Sequence, residues 1–403
     1  MAKELRKAPP ARQRVEHMTA DIRIPPIMKI GAGAFSEVPA ILASLNCICP
    51  LIVTDAFLAG CGLAEKLQDQ ILATGIQCEV FSGAVPDPTT DAVDQGVSAY
   101  FAGRHDSLVS LGGGSPIDTA KAIGLLVANA GRVRDYKVPK PIPKAGPVHV
   151  AVPTTAGTGS EVTRFAVISD SISEEKMLIA GSALMPSAAI VDYELTMSMP
   201  RRLTADTGTD SLTHAIEAYV SRRANPFTDT FALSAMKTIW AELPIAFHQS
   251  DNRSAREGMM LAATLAGIAF SNASVALVHG MSRPIGFFFH VPHGLSNAML
   301  LPTVTQFSAS SAAPRYADCA RAMGIAAQTD AEFDAVSKLV EGLFRRNEEL
   351  EVPSPRSYGI SEARYFELIP TMAMQALASG SPQNNPRTPT ESEIEQLYRD
   401  IWK

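Results

Sequence analysis

The first half of the chain alternates short apolar segments with longer amphipathic ones, and this alternation restricts the fold more than any other feature. Four segments have the length and composition of buried strands, at residues 50–55, 78–83, 106–113 and 148–155. Segments with helical spacing separate them. Strands that alternate with helices in this way form a parallel sheet with helices on both faces. Such a sheet binds its ligands beyond the carboxyl ends of the strands.

The pattern changes near residue 197, where long segments with helical spacing replace the alternation. We predict an N-terminal arm over residues 1–20, an α/β domain over residues 21–196 and an all-helical domain over residues 197–403. A chain of 403 residues is long enough for two domains that each bury a core. The cleft between them is the expected place for a small-molecule site.

Charge and composition exclude several classes of protein. The net charge of −6 argues against nucleic acid as the main partner. Five cysteines without CxxC spacing argue against a disulfide framework and favour a reducing, cytoplasmic location. Residues 258–280 carry no charged side chain and are long enough to span a bilayer. Because no aromatic or basic belt flanks them, we predict a buried central helix and no membrane association.

The turn in SLGGGSPIDTAK (residues 110–121) predicts a phosphate site. It leaves a strand through three glycines and enters a helix, whose free N–H groups attract anions. Ser115 is predicted as the N-cap, Pro116 as the first helical residue and Asp118 as the partner in a capping-box-like spacing. A tight turn that binds no ligand would have the same signature.

A second loop, PTTAGTGSE (residues 153–161), adds hydroxyl side chains and glycines after another strand. Two such loops at neighbouring strand ends indicate a diphosphate with sugars attached, as in a dinucleotide. Asp55 ends the first clear strand, where a carboxylate would bind a ribose 2′-OH and repel a 2′-phosphate. The pattern therefore favours NAD over NADP, although Asp55 would also suit a simple strand-end turn.

Histidines are concentrated in HGMSRPIGFFFHVPHG (residues 279–294), which holds three of the eight in the chain. Prolines and glycines within this stretch predict that His279 lies near the end of one helix and His293 near the start of the next. Upstream, Asp210 and His214 are four residues apart and would share a helix face. One carboxylate and three imidazoles suit Fe²⁺ or Zn²⁺. Spacing alone does not establish that they converge, and an exposed Asp–His pair has the same spacing.

Six motifs in this order resemble the iron-dependent (group III) alcohol dehydrogenase family over nearly the whole chain beyond the arm. They are GGGSPIDTAK, PTTAGTGSEVT, DSLTHAIEAY, VHGM, PHG and NNPR. The resemblance implies an α/β N-terminal Rossmann-like dinucleotide-binding domain followed by an all-α C-terminal metal-binding domain, an architecture shared with dehydroquinate synthase. It also implies an NAD-dependent and Fe²⁺- or Zn²⁺-dependent enzyme that interconverts a primary alcohol and its aldehyde by hydride transfer. We expect a homodimer or a larger homo-oligomer.

The resemblance also implies roles for individual residues. The metal ligands would be Asp210, His214, His279 and His293. The cofactor contacts would be Asp55, Gly112, Gly113, Gly114, Ser115, Asp118, Thr154, Thr155, Thr158, Val167 and Lys176. Asp87 is expected near the adenine end, where many relatives carry asparagine, so its contact stays open.

Arg283 departs from the family pattern, because relatives often carry a histidine one turn after the histidine of the HGM motif. Arginine does not titrate in the useful range, but its fork fits a carboxylate. We therefore predict a substrate with an anionic end, such as an ω-hydroxy acid or its semialdehyde, held by Arg283. The alternative is that Arg283 pairs with a protein carboxylate or a cofactor phosphate. His290 is the candidate proton relay. The alternative is that His290 is an ordinary packed or surface histidine in a loop.

Three other functions remain open. A dehydroquinate-synthase-like lyase would recycle its NAD, whereas a dehydrogenase forms net NADH from an alcohol. A maleylacetate-reductase-like enzyme would also accept an acidic substrate. A non-catalytic nucleotide-binding subunit would not need one aspartate and three histidines. The presence of this complete set therefore favours metal-assisted alcohol chemistry.

Overall fold

The computed structural model describes residues 19–170, 172 and 175–403, so all but the last two residues of the predicted N-terminal arm lie outside the described residues. The strands are β1 (Ile27–Ile30), β2 (Pro50–Asp55), β3 (Glu79–Ala84), β4 (Ser107–Gly112), β5 (Val148–Pro153), β6 (Phe165–Asp170), β7 (Glu175–Ala180) and β8 (Ala188–Val191). The α-helices of the first part are α1 (Val38–Ser44), α2 (Ala56–Gly60), α3 (Leu63–Leu72), α4 (Thr90–Ala102) and α5 (Gly114–Ala128). Those of the second part are α6 (Arg201–Val220), α7 (Pro226–His248), α8 (Arg253–Asn272), α9 (Leu277–Phe289), α10 (His293–Ser308), α11 (Ala313–Ala322), α12 (Glu332–Glu349), α13 (Glu362–Ala378) and α14 (Glu391–Asp400).

Six strands form a parallel sheet in the order β1-β8-β5-β4-β2-β3, as predicted from the alternation of strands and helices. Successive residues of a strand point to opposite faces, so β4 contributes Leu108 to one hydrophobic core and Val109 to the other. Helices therefore cover both faces of the sheet. The predicted strand at residues 50–55 coincides with β2. The antiparallel hairpin of β6 and β7 was not predicted.

Helices make up the second part, as predicted. The last strand of the sheet ends at Val191 and α6 begins at Arg201. The core of the helical part also contains Val162 and Val191, so one continuous apolar cluster joins it to the α/β part. This shared core holds the cleft between the two parts in a defined shape.

The apolar segment at 258–280 is not one central helix, because it divides between α8 and α9, which are bent by 105°. His279 is the third residue of α9 and does not lie near the C-terminal end of a helix, because the break between α8 and α9 precedes it. Pro284 lies inside α9, where burial of the helix offsets the cost of a lost hydrogen bond, about 3 kcal/mol. No single helix of the described residues has both the length and the apolarity to cross a membrane.

Candidate metal centre and cofactor cleft

Two adjoining cavities form a long cleft between the α/β part and the helical part. The first, of about 960 Å³, extends from Asp55 at the end of β2 to the helical part. The second, of about 630 Å³, lies between the β6–β7 hairpin and helices α6, α8 and α9. Both cavities are lined by Ser115, Thr158, Asp210 and His293. The site thus lies at the carboxyl ends of the parallel strands, where ligands of such sheets bind.

The glycine turn begins α5 two residues earlier than predicted. Gly113 is the N-cap and Ser115 lies within the first turn, so the prediction of Ser115 as N-cap is wrong. The reason is close packing: Gly112 has φ 151°, and a Cβ placed on it would lie 2.4 Å from Cγ of Pro116. The first N–H groups of a helix have no partners within it, and this turn lines the cleft. It therefore presents an anion-binding N-terminus to the cleft.

The second loop packs directly on the glycine turn. A Cβ on Gly113 would lie 3.1 Å from Oγ1 of Thr155, and one on Gly114 would lie 2.8 Å from Cγ2 of Thr158. The N–H of Thr154 donates to the carbonyl of Gly112 at 3.0 Å. The glycines thus allow two loops to approach closely enough to line one wall of the cleft.

Asp118 and Lys121 hold the second loop in place. The carboxylate of Asp118 accepts hydrogen bonds from Ser160 Oγ at 2.6 Å and from the N–H of Val167 at 2.9 Å, so the expected capping-box contact is replaced. Nζ of Lys121 lies 2.7–3.0 Å from five oxygens of Ser160, Thr163 and Phe165. The sequence analysis missed Lys121, although it follows Asp118 by three residues on α5.

The other predicted cofactor residues fall on both sides of the cleft. Asp55 lines the first cavity and also accepts a hydrogen bond from the N–H of Leu58 at 2.8 Å, so it caps α2. Asp87 lines the second cavity and not the first, where Asp55 lies. Its Oδ1 is 2.6 Å from Nζ of Lys176. Val167 also lines the second cavity.

Three helices bring the four predicted metal ligands together. Asp210 and His214 lie one turn apart on α6, His279 lies at the start of α9 and His293 is the first residue of α10. The Oδ1 atom of Asp210 is 3.8 Å from Nε2 of His214, 3.5 Å from Nε2 of His279 and 3.8 Å from Nε2 of His293. Four donors that share one ion at about 2.1 Å lie roughly 3.4 Å apart in a tetrahedral site. The separations from Asp210 are close to that value, and Asp210, His279 and His293 each offer a ligand atom within 4.8 Å of the other two, whereas His214 is near Asp210 but outside this group of three.

The electrostatics of the cluster favour a positive charge at its centre. Burial lowers the pKa of His214 to about 4, so it is neutral at pH 7. Desolvation at the cleft wall also lowers the pKa of His293, although 41% of its side chain is exposed. Burial alone would raise the pKa of Asp210, but the surrounding imidazoles hold it well below its usual range. Burial opposes a charge on His279, yet hydrogen bonds to Asp210 and Glu217 raise its pKa to about 9. The ionised Asp210 and the neutral His214 are in the forms that bind metal, whereas His279, protonated at pH 7 without an ion, would release its Nε2 proton on binding one.

Asn297 is a site residue that the sequence analysis missed. Its side chain is fully buried one turn after His293 on α10. Nδ2 lies 2.6 Å from Oδ1 of Asp210 and 3.2 Å from Nε2 of both His279 and His293. The amide oxygen, also buried, has no hydrogen-bond partner among the described residues. Its position one turn after a ligand was the signal available from the sequence.

Gly294 in the PHG motif allows α10 to contact α6. A Cβ on Gly294 would lie 2.3 Å from the carbonyl oxygen of Asp206 and 3.3 Å from Cβ of Asp210. A larger residue would therefore push the start of α10, including His293, away from Asp210. The glycine is needed for close approach of two helices.

Arg283 reaches the site, whereas His290 does not. Arg283 lines the second cavity with His279, and no described residue forms a hydrogen bond or ion pair with its side chain. Burial lowers the pKa of Arg283 to about 10 despite the nearby Glu217, so it stays charged at pH 7. His290 is exposed, caps the end of α9 with φ 53° and lines neither cavity. A proton relay at His290 therefore has no support from this geometry.

Two family models match the chain. One is described as "Iron-containing alcohol dehydrogenase" and matches residues 25–193, and the other, "Fe-containing alcohol dehydrogenase family, C-terminal", matches residues 204–402. An NAD-dependent methanol dehydrogenase of Bacillus methanolicus is 40% identical over 94% of this chain and 98% of that protein. A crystal structure of 1,3-propanediol oxidoreductase has a TM-score of 0.91 and 34% identity over 95% of this chain and 100% of that chain. A crystal structure of a sulfoacetaldehyde reductase from Bifidobacterium kashiwanohense in complex with NAD+ has a TM-score of 0.86 and 28% identity, over 96% of this chain and 100% of that chain.

Proposed function

Because the chain belongs to the iron-containing alcohol dehydrogenase family, we propose that it interconverts a primary alcohol and its aldehyde with NAD and a divalent ion, Fe²⁺ or Zn²⁺. One observation carries the proposal: Asp210, His279 and His293, from three helices, each offer a ligand atom within 4.8 Å of the other two. His214 adds a third imidazole, with Nε2 3.8 Å from Oδ1 of Asp210. This group adjoins the loops at the carboxyl ends of the parallel strands, through the cavity that Asp210 and His293 share with Ser115.

We assign the ion to Asp210, His214, His279 and His293. The donor set of one carboxylate and three imidazoles suits Fe²⁺ or Zn²⁺, and the donor separations of 3.5–3.8 Å from Asp210 fit a common ion. When bound, the ion is a Lewis acid that stabilises negative charge on a substrate oxygen. The chain contributes the orientation of these donors, since Asn297 donates to Asp210.

We assign the cofactor to the first cavity and to its junction with the second. The N-terminus of α5 at Gly113–Ser115 and the hydroxyls of Thr154, Thr155 and Thr158 suit a diphosphate. Asp55 uses Oδ1 to cap α2, so its second oxygen is available to a ribose hydroxyl. NAD supplies the hydride acceptor when bound. Asp118, Val167, Lys176 and Asp87 would flank the nicotinamide end of the cofactor, because all four line the second cavity, so Asp87 would not contact the adenine end, where it was expected.

The second cavity supports a substrate with an anionic end. Arg283 and Lys176 line it near the proposed ligands, and Arg164 and Arg223 line it as well. Arg283 has no carboxylate partner among the described residues, so its charge is available to a ligand. One solved relative is named a sulfoacetaldehyde reductase, whose named substrate carries a sulfonate. An ω-hydroxy acid or its semialdehyde is the matching substrate class.

Aromatic residues form the apolar wall of the same cavity. The ring of Phe270 stacks on that of His214 with centroids 4.2 Å apart, and Phe165 stacks on Phe270 at 6.2 Å. Both phenylalanines line the cavity. They exclude water from one side of the reacting groups, which strengthens electrostatic interactions there.

The proposal is tested by an NAD+ reduction screen on anaerobically purified protein loaded with Fe²⁺ or Zn²⁺. Neutral primary alcohols are compared with ω-hydroxy acids of graded length. We expect NADH formation that depends on the ion, and preference for the acids. The matched variant Asp210→Asn removes the carboxylate charge without a large change in volume and should abolish turnover. If none of the alcohols tested gives net NADH formation, the dehydrogenase is rejected and the lyase is favoured.

A further inference from the structure

Glu217 is a buried carboxylate on the same face of α6 as two proposed metal ligands. It follows Asp210 by seven residues and His214 by three, which places all three on one side of the helix. Only 3% of its surface is exposed. Isolated buried carboxylates are rare because desolvation is costly, so its hydrogen-bond partners define its role.

The carboxylate of Glu217 caps the beginning of α9. It accepts hydrogen bonds from the N–H of Ala276 at 2.7 Å and of Val278 at 2.6 Å. These are among the first N–H groups of the helix, which have no intrahelical partners. The N-cap residue itself, Ala276, has no side-chain acceptor. Glu217 therefore fixes from a neighbouring helix where α9 begins, and negative charge at that end is favourable.

The same carboxylate orients His279. Oε2 of Glu217 lies 2.7 Å from Nδ1 of His279. A carboxylate only accepts, so Nδ1 carries the hydrogen in this contact. Nε2 then faces Oδ1 of Asp210, at 3.5 Å, and Nδ2 of Asn297, at 3.2 Å, so Nε2 is the nitrogen that would bind a cation beside Asp210.

We propose that Glu217 is a positioning residue of the metal centre, because one buried carboxylate sets both the location of His279 and the nitrogen with which it binds the ion. This inference rests on the proposed function, since it requires a divalent ion at Asp210. Outer hydrogen-bond partners of metal-bound imidazoles keep the ring orientation and raise ligand basicity. Arg283 depends on the same cap, as it lies on α9 one turn after His279.

The variant Glu217→Gln removes the negative charge and one acceptor oxygen of Glu217 but keeps the size of the side chain. Oε2 of Glu217 now accepts from both the N–H of Ala276 and Nδ1 of His279, whereas an amide offers only one oxygen. Because the N–H of Val278 bonds to Oε1, the NH₂ group would face either that N–H or the two donors at Oε2. In the first case the start of α9, which carries His279, loses a cap, and in the second the ring of His279 also loses its fixed orientation. We expect the dissociation constant for Zn²⁺ or Co²⁺, measured by chelator competition, to rise by about 10- to 100-fold.

A matched control is Glu161→Gln. Glu161 is equally buried at 3% exposure and accepts from Oγ1 of Thr264 at 2.9 Å, but it contacts none of the four proposed ligands. This variant should lower the melting temperature and leave the Zn²⁺ dissociation constant within about twofold of the wild type. If Glu217 had only a structural role, both variants would lower the melting temperature and leave the Zn²⁺ dissociation constant unchanged.

Nitrogen NMR of the Zn²⁺-loaded wild type, with ¹⁵N-labelled histidine, tests the proposal without relying on a variant that must fold. We expect His279 to bind zinc through Nε2 and to retain a hydrogen on Nδ1. Zinc bound through Nδ1, or Zn²⁺ affinity unchanged in Glu217→Gln, would overturn the proposal and leave the proposed function standing. If the wild type bound none of Zn²⁺, Co²⁺ and Fe²⁺, both the role of Glu217 and the proposed function would be overturned.

Discussion

Arg283 follows His279 by one turn of α9, and both side chains line the cavity beside the proposed metal ligands. His279 is bound on its other side by Glu217, whereas Arg283 has no ion-pair partner among the described residues. The two residues therefore present a metal-binding nitrogen and an available cation to the same space. For the proposed anionic substrate, their spacing would set the distance between the reacting carbon and the charged end.

Replacement of Arg283 by alanine should reduce activity on charged substrates selectively. A hydrogen bond to a charged group contributes about 1.5–3 kcal/mol, so kcat/KM for an ω-hydroxy acid should fall by roughly 10- to 100-fold. For a neutral alcohol of equal length it should change by less than about threefold. Arg345→Ala is the control and should leave both values unchanged, because this exposed arginine on α12 lines neither cavity. Equal losses for both substrates in Arg283→Ala would contradict the anionic substrate.

Replacement of Gly294 by alanine should open the metal centre. The added Cβ would lie 2.3 Å from the carbonyl of Asp206, so α10 must shift and carry His293 away from Asp210. We expect at least a tenfold weaker Zn²⁺ affinity together with a lower melting temperature, because overpacking costs about 1–3 kcal/mol. Gly60→Ala, in open space on α2, should change neither quantity appreciably. Wild-type affinity in Gly294→Ala would show that the contact is not needed.

Replacement of Asp55 by asparagine should weaken discrimination against NADP+. Asparagine keeps an oxygen that can cap α2 through the N–H of Leu58, but it removes the charge that would repel a 2′-phosphate. The ratio of kcat/KM for NAD+ to that for NADP+ should fall by about tenfold, which corresponds to about 1.4 kcal/mol. Asp69→Asn, a substitution on the neighbouring helix α3, serves as the control for net charge. An unchanged ratio would remove Asp55 from cofactor selection.

Acid should destabilise the protein partly through His149, which is buried on β5 with Nε2 2.8 Å from Oγ of Ser110. Burial lowers its pKa from 6.5 to about 3, and the charge of Lys121 acts in the same direction. Below about pH 6.5 the unfolded chain binds a proton that the folded chain excludes, so stability falls as pH falls, by at most about 1.4 kcal/mol per pH unit for this group.

The variant His149→Asn should therefore show a shallower decrease in melting temperature from about pH 6.5 to about pH 5. His248→Gln, which changes an exposed histidine on α7, is the control and should keep the wild-type slope. An unaltered slope in His149→Asn would mean that other groups account for the acid sensitivity.

Local patterns predicted well what depends on short stretches of chain. The buried run at 50–55 became β2, because a strand covered on both faces needs a continuous apolar segment. Fine detail at element ends was less predictable. Ser115 looked like an N-cap, but the chain leaves β4 through Gly112 with φ 151°, and α5 starts at Gly114 with Gly113 as its N-cap.

Long-range partners were not predictable from local patterns. Glu217 and His279 are 62 residues apart, and Asp210 and Asn297 are 87 apart. Glutamate and asparagine on a helix are ordinarily solvated, and no local spacing reveals that these two are buried beside imidazoles. The same limit applies to Lys121, whose acceptors begin 39 residues away.

The order of strands, helices, glycine turns and ligand-type residues is contained in the sequence, because backbone geometry and hydrophobic periodicity act over a few residues at a time. Tertiary structure alone decided which nitrogen of His279 faces the site, that no described carboxylate forms an ion pair with Arg283, and that His290 stays outside. Those outcomes depend on which surfaces α6, α9 and α10 bury against one another, a choice made by packing over the whole chain.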